Sequence, residues 1–576
     1  MVENSKRKLY DGYQINDFRE LINVRYTMFK DKNAFEYRLK PDSEIIKVTY
    51  ADYINDIKAL GTALLNLGLE KKRIALIAPN RYEWCVSYLA VTTSNIVVVP
   101  LDKSLPDNEI ESLIIRSKVD GVIFDKKYLD VFNNIKSNNT SNLTTYICMD
   151  YSEDKDNILS YPKLINNGAK LLANGDKKYD NITIDNTAMS IMIFTSGTTS
   201  ISKAVMLSQK NICSDIYSLS CMAKVTSNDK FLSFLPLHHT FESTCTFLYG
   251  TSAGITVVFT DGLKYIVKNL KEYEITGFVC VPLVLETIYK KINKEIEKQG
   301  KTKLIKFARK FSNFLLKFHI DIRKKIFKPI LDQLGGKLNI LIAGGAPMDK
   351  EAISAFVDFG INLLQGYGLT ETSPVAAGEN DKYKRAGSVG FPLPNIDIEI
   401  DNPDEDGVGE IIIKAPTVML GYYENPEATD SVLRDSWFHT GDLGKFDEDG
   451  FLFVTGRKKF VIVLKNGKKV FPEEVEILIN KLPFVQESMV YGLPDRDNDV
   501  KLCAKIVYNP DTMKELYPAS RESDYKKLIK DQIKKINHTM PAYKYIRDII
   551  ITTEPLIKTT TQKIKRNEEM KKIIGK

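Results

Sequence analysis

The chain has 576 residues, 43% hydrophobic and 27% charged, with a formal net charge of +7. This exceeds one ordinary core and predicts at least two domains in a soluble globular protein. No apolar run reaches the roughly 18 residues of a membrane span. No apolar core follows residues 1–7, so no secretory signal is expected. The seven Cys form no C-x-x-C and the five His no H-E-x-x-H, which argues against a disulfide framework or zinc site and suits a reducing cytosol.

In chain order, residues 49–67 read as a helix and 74–78 and 96–100 as strands. Residues 106–117 read as a helix and 121–124 and 146–149 as strands. Further strands are expected at 190–194, 231–235, 255–259, 277–281 and 338–343, and Ser208 should N-cap a helix. Short apolar runs alternating with helical stretches predict an α/β fold of stacked, doubly wound layers. Residues 401–409 are an acidic, Gly-containing hairpin signal, and the strands after it read as antiparallel and barrel-like. Beyond Gly456 the elements become shorter. A boundary at 457–460 gives an N-terminal domain, 1–456, and a small α+β domain, 457–576.

Charge is unevenly placed. Residues 290–328 carry 14 Lys and Arg against three acids, a net of +11, leaving −4 for the rest of the chain. Within this segment Phe307, Phe311, Phe314, Phe318 and Ile322 fall at helical spacing. Either a helical insertion packs this stripe on the core and solvates its charges, or a basic amphipathic surface touches anionic membrane. An acidic carrier protein would meet the same charges. No nucleic-acid partner is expected.

The segment Thr195-Ser196-Gly197-Thr198-Thr199-Ser200-Ile201-Ser202-Lys203-Ala204 follows the apolar run 190–194. A loop of small hydroxylated residues leaving a strand offers N–H groups and hydroxyls to phosphate oxygens, and Lys203 adds a charge. It is not a Walker A loop, since Ser202 stands where the second Gly belongs and Ala204 where Ser or Thr belongs. A second literal match, Gly250-Thr251-Ser252-Ala253-Gly254, fits the G-x-S-x-G nucleophile elbow. That elbow needs strand, turn and helix in this order. Here a helical stretch precedes and a strand follows, so a small-residue turn is expected instead of a serine hydrolase.

Further motifs follow in order: Gly344-Gly345-Ala346-Pro347, Gln365-Gly366-Tyr367-Gly368-Leu369-Thr370-Glu371, Trp437-Phe438-His439-Thr440-Gly441-Asp442, Gly456-Arg457-Lys458-Lys459 and Thr561-Gln562-Lys563-Ile564-Lys565-Arg566. The ordered set resembles the adenylate-forming (AMP-binding) superfamily over roughly residues 20–570. The insertion upstream of Gly344 resembles its long-chain fatty acyl branch.

The resemblance implies that Thr195, Ser196, Gly197, Thr198, Thr199 and Lys203 hold the β- and γ-phosphates of ATP. Thr370 and Glu371 would meet the α-phosphate, with Glu371 ligating Mg²⁺ as a hard oxygen donor. Gly345, Ala346, Gly366, Tyr367 and Gly368 would take the adenine, and Asp442 and Arg457 the ribose. Lys459 would be the hinge of a mobile C-terminal domain. Lys563 would bridge carboxylate and phosphate, His239 would lie near the acyl carboxylate, and Gly467 would meet the pantetheine arm of coenzyme A. Two departures stand out: Ser200, Ser202 and Ala204 replace Gly, Pro and Gly in the family loop, and Phe460 replaces the acid that usually follows the hinge.

The implied function is ATP-dependent activation of a medium- to long-chain fatty acid through an acyl-adenylate to acyl-CoA. Its implied setting is cytoplasmic, with membrane contact through 290–328. The alternatives are loading of an acyl-carrier protein and an adenylate-binding protein without turnover.

Overall fold

The computed structural model describes residues 9–195, 202–464, 468–494, 500–559 and 564–575. Contacts group the chain into two units. One comprises Met1–Ala346, Lys350–Ile398 and Ile413–Phe438, the other Pro347–Asp349, Glu399–Ile412 and His439–Lys576.

The first unit contains two large sheets. The eight-stranded sheet runs Gly421–Tyr422, Lys203–Ser208, Met189–Thr195, Val97–Pro100, Arg73–Ile77, Gly121–Phe124, Thr145–Cys148, Leu159–Ser160. Its middle strands are parallel, and Met189–Thr195 folds back antiparallel on Lys203–Ser208. Alternate side chains of Arg73–Ile77 enter different cores: Ile74 and Leu76 join one cluster, Ala75 and Ile77 another. This double burial is why the strand is a continuous apolar run.

The nine-stranded sheet runs Phe391–Pro392, Val375–Gly378, Asn362–Gly368, Ile340–Gly344, Gly277–Cys280, Lys230–Ser233, Thr256–Phe259, Asn33–Tyr37, Ile46–Thr49. From Asn362–Gly368 to Asn33–Tyr37 all neighbours are parallel. One core cluster draws on both sheets, through Ile74, Ile191, Phe231, Val257 and Ile340. Helix starts follow local chemistry: Thr49 with Asp52 and Ser208 with Asn211 form capping boxes.

The expected strands and helices appear within about two residues of their predicted ends, the usual uncertainty of helix and strand boundaries. Two expectations change. Residues 250–253 are not a turn: Tyr249–Ala253 is a helix that stops at Gly254, which has a left-handed φ of 74°. Ser252 is buried, and the strand comes after the helix, so no nucleophile elbow exists there. The aromatic stripe of 307–318 does not pack on the core. The Thr302–Leu316 helix docks through Arg309, Ser312 and Asn313, while Phe307, Phe311, Phe314 and Phe318 face solvent.

Residues 402–408 join Asp397–Asp401 to Gly409–Lys414 in a five-stranded sheet, where the hairpin signal was read. In this sheet Trp437–Phe446 pairs antiparallel with Leu433–Arg434 and Leu452–Arg457. The later part of the second unit is α+β. Val485–Pro494, Val500–Tyr508 and Ile546–Thr552 form a sheet over the helices Pro472–Asn480 and Glu522–Asn537, with a core of its own.

Candidate active site

Parallel strands of the nine-stranded sheet end on one edge at Ser233, Gly344 and Gly368, and the motif residues follow these ends. Crevices beyond the carboxyl ends of parallel strands are where α/β sheets hold ligands. Ile340–Gly344 and Asn362–Gly368 are neighbours, with Gly344 opposite Gly366. A Cβ on Gly344 would stand 3.1 Å from the Phe241 ring and 3.2 Å from the Gly366 carbonyl. The absence of a side chain there lets the segment carrying His239 close on both strand ends. Gly368 is equally constrained, since a Cβ would fall 1.8 Å from the Pro374 carbonyl oxygen.

The Thr370–Thr372 turn is clamped from both sides. The Leu369 N–H donates to Thr372 Oγ1 at 3.0 Å, Ser373 Oγ donates to the Thr417 carbonyl at 2.7 Å, and the Met419 N–H to the Glu371 carbonyl at 2.8 Å. Tyr422 donates its hydroxyl to Glu371 Oε1 at 2.9 Å. The same ring lies under Lys203, with Nζ 4.6 Å from its centroid. Lys203 pairs with Thr195, whose Oγ1 donates to the Lys203 carbonyl at 3.4 Å. Lys203 and Glu371, both chosen from the sequence, are therefore joined through Tyr422, which sequence reading missed, and Thr195 is hydrogen-bonded directly to Lys203.

Arg116 was missed too. It donates to the hydroxyl of Ser202 at 3.1 Å and to its carbonyl, and stacks 5.3 Å above Phe194. A cation thus holds the altered end of the loop, where the family's Pro is missing. Ser196, Gly197, Thr198 and Thr199 lie outside the described residues, as do Gly467 and Lys563.

His239 caps the Thr240–Glu242 turn, and its ring centroid is 4.2 Å from that of His238. Burial and Lys103 push the His238 imidazole down to about 3, so it is neutral near pH 7. Glu242 is fully buried and pushed up to about 8, with Thr246 Oγ1 donating to it at 3.1 Å. The element that follows, Ser243–Leu248, is a π-helix, a form enriched at functional sites.

In the second unit Asp442 and Arg457 face each other across paired strands, with Arg457 Nε 2.8 Å from Asp442 Oδ1. Asp442 is buried, and its N–H donates to Thr440 Oγ1 at 3.0 Å. Gly441, at a φ of 70°, donates its N–H to Glu410 Oε1 at 3.0 Å. Burial alone would raise the Glu410 carboxyl, but Lys458 at 3.0 Å and the Gly441 N–H outweigh it and hold the group below its ordinary range. Thr440, Gly441, Arg457, Lys458 and Lys459 line one open depression. Arg457, expected at a ribose, and the expected hinge lysine therefore share one surface, with Asp442 buried and paired to Arg457.

Among known proteins, the model of the AMP-binding enzyme family matches residues 24–423, and that of the AMP-binding enzyme C-terminal domain matches 459–573. The chain belongs to the AMP-binding enzymes. A chloroplastic long-chain-fatty-acid–[acyl-carrier-protein] ligase of Arabidopsis thaliana is 28% identical over 91% of this chain and 81% of its own length. Long-chain-fatty-acid–CoA ligase 5 of Mus musculus is 28% identical over 92% of this chain and 83% of its own length. The solved structure of the anthranilate CoA ligase AuaEII, in complex with anthranoyl-AMP, shares the fold with a TM-score of 0.74 at 19% identity, covering 99% of both chains.

Proposed function

We propose that this AMP-binding enzyme activates a medium- to long-chain fatty acid with ATP and transfers the acyl group to coenzyme A. The observation that supports this best is the linked set Thr195–Lys203–Tyr422–Glu371, in a chain whose relatives are long-chain acyl ligases. In the first step a carboxylate oxygen bonds to the α-phosphorus of ATP and pyrophosphate leaves. In the second a thiol sulfur bonds to the acyl carbon, AMP leaves with the electron pair of the C–O bond, and the thiol proton goes to solvent or a nearby base.

The first step brings a carboxylate against a polyanion, so cation placement is the main catalytic demand. Lys203 serves the phosphates, with Arg116 fixing the backbone from which it projects. Glu371 suits Mg²⁺ as a hard oxygen donor whose side-chain partner among the described residues is the neutral Tyr422 hydroxyl. Such an ion would neutralise phosphate charge at the reacting end. Asp442 and Arg457 are assigned to the ribose, His239 to the acyl carboxylate, Lys563 to adenylation and Lys459 to the hinge. Gly467 is assigned to the pantetheine arm.

The test is product formation from ATP, Mg²⁺ and acids of graded length, with CoA and purified acyl-carrier protein as competing acceptors. The expected outcome is acyl-CoA with a long-chain optimum. Acyl transfer only to the carrier would replace CoA in this reading.

A further inference from the structure

The Thr302–Leu316 helix is amphipathic in the reverse sense to a core-packed helix. Its polar side faces the protein: Ser312 is 1% exposed, Arg309 Nε pairs with Asp358 at 2.7 Å, and Asn313 donates to the same carboxylate at 2.8 Å. Its apolar side faces out, with Phe307 66%, Phe311 44% and Phe314 54% exposed, and Phe318, in the turn just past its end, is 61% exposed. The rings pair with each other, Phe307 stacked on Phe311 at 6.1 Å and Phe314 edge-on to Phe318 at 5.2 Å. The exposed Lys303 and Lys306 stand just before them and the exposed Lys310 and Lys317 between them.

This orientation is locked. Asp358 is buried, and turning the Phe stripe inward would strip it of Arg309 and Asn313, leaving the Ser354 hydroxyl at 3.4 Å as its remaining hydrogen-bond donor among the described residues. Exposed apolar patches of this kind mark interaction surfaces.

We propose that this face docks on an anionic lipid bilayer. Charge complementarity selects the occupant, since residues 290–328 carry a net +11. Lys spaced between ring anchors can reach headgroup phosphates while the Phe rings enter the acyl boundary. An acidic protein would match the charges but would not bury four protruding rings separated by ammonium groups. Docking also brings the enzyme to a bilayer-dissolved acid; only this benefit rests on the activity proposed above.

The test is co-sedimentation of the full chain with phosphatidylcholine vesicles, with and without phosphatidylserine, at low and high salt. The expected result is salt-sensitive binding to the anionic vesicles alone. F307S/F311S/F314S and K303E/K306E/K310E should each weaken it by about tenfold or more. All six positions are solvent-facing, so melting temperature should be unchanged. As a second readout, Phe314→Trp should show a blue-shifted emission, quenched by brominated lipid, only with anionic vesicles. No vesicle binding, equal binding to neutral vesicles, or binding retained in both variants would overturn the proposal. So would self-association through this face, or capture of an acidic carrier protein without vesicle binding.

Discussion

Replacing Tyr422 by Phe tests whether the ring that joins Lys203 to Glu371 organises the phosphate end of the site. The substitution deletes only the hydroxyl that donates to Glu371 Oε1 at 2.9 Å and leaves the ring beneath Lys203. A hydrogen bond to a charged group is worth about 1.5–3 kcal/mol. Glu371 is only half-buried and can recruit water, which puts the loss near the lower end. The expected fall in kcat/KM for MgATP is roughly 5- to 30-fold, at about 1.4 kcal/mol per tenfold. Tyr422→Leu also removes the ring face under Lys203, worth about 0.5–1 kcal/mol more, or roughly a further two- to fivefold. The assay is pyrophosphate release under MgATP titration, with melting temperature as the folding control. Tyr422→Phe within twofold of the wild type, together with Tyr422→Leu no worse, would refute the linkage.

Other perturbations separate the remaining parts. Arg116→Ala should raise the KM for ATP by roughly three- to tenfold at little cost in melting temperature, because it frees Ser202 at the loop's end without touching Lys203. Asp442→Ala should weaken nucleotide binding by about tenfold or more, measured by ATP titration calorimetry, since a buried acceptor paired with Arg457 is lost. Glu242 carries a folded-state carboxyl pKa raised to about 8, so the folded protein holds a proton that the unfolded chain has released. Its contribution to stability is therefore fully present below the ordinary carboxyl range and is lost as pH rises to about 8. Thermal melts from pH 5 to 8 should show a smaller decline for Glu242→Gln than for the wild type. Lys563→Ala should stop adenylation yet spare thioester formation from supplied acyl-AMP; equal loss of both half-reactions would contradict its assigned role.

The legible part of this fold was the set of strands buried on both faces. Residues 74–77 and 121–124 are apolar without a break because alternate side chains feed separate cores. Asp442 was legible through its neighbours, but its pairing with Arg457 rests on the register of Trp437–Phe446 against Leu452–Arg457, which the motifs do not contain. Tyr422 was not legible as a site residue: its partner Glu371 lies 51 positions away, and only the pairing of Gly421–Tyr422 with Met206 and Val205 brings it over Lys203. Arg116 is 86 positions from Ser202, on a helix whose sequence carries no phosphate-site signal. The Phe stripe shows a third limit. Periodicity establishes that Phe307, Phe311, Phe314 and Phe318 share a face, but the inward direction is set by Arg309 finding Asp358, a long-range pairing that no local pattern contains.

The most direct measurement is fatty-acid-dependent exchange of labelled pyrophosphate into ATP, with Mg²⁺ and without any thiol. Reversible adenylate formation predicts exchange that rises with a medium- to long-chain acid and is abolished in Lys203→Ala. Saturable ATP binding without exchange, for every acid tried, would contradict adenylate-forming turnover and make the chain a nucleotide-binding relative of the ligases.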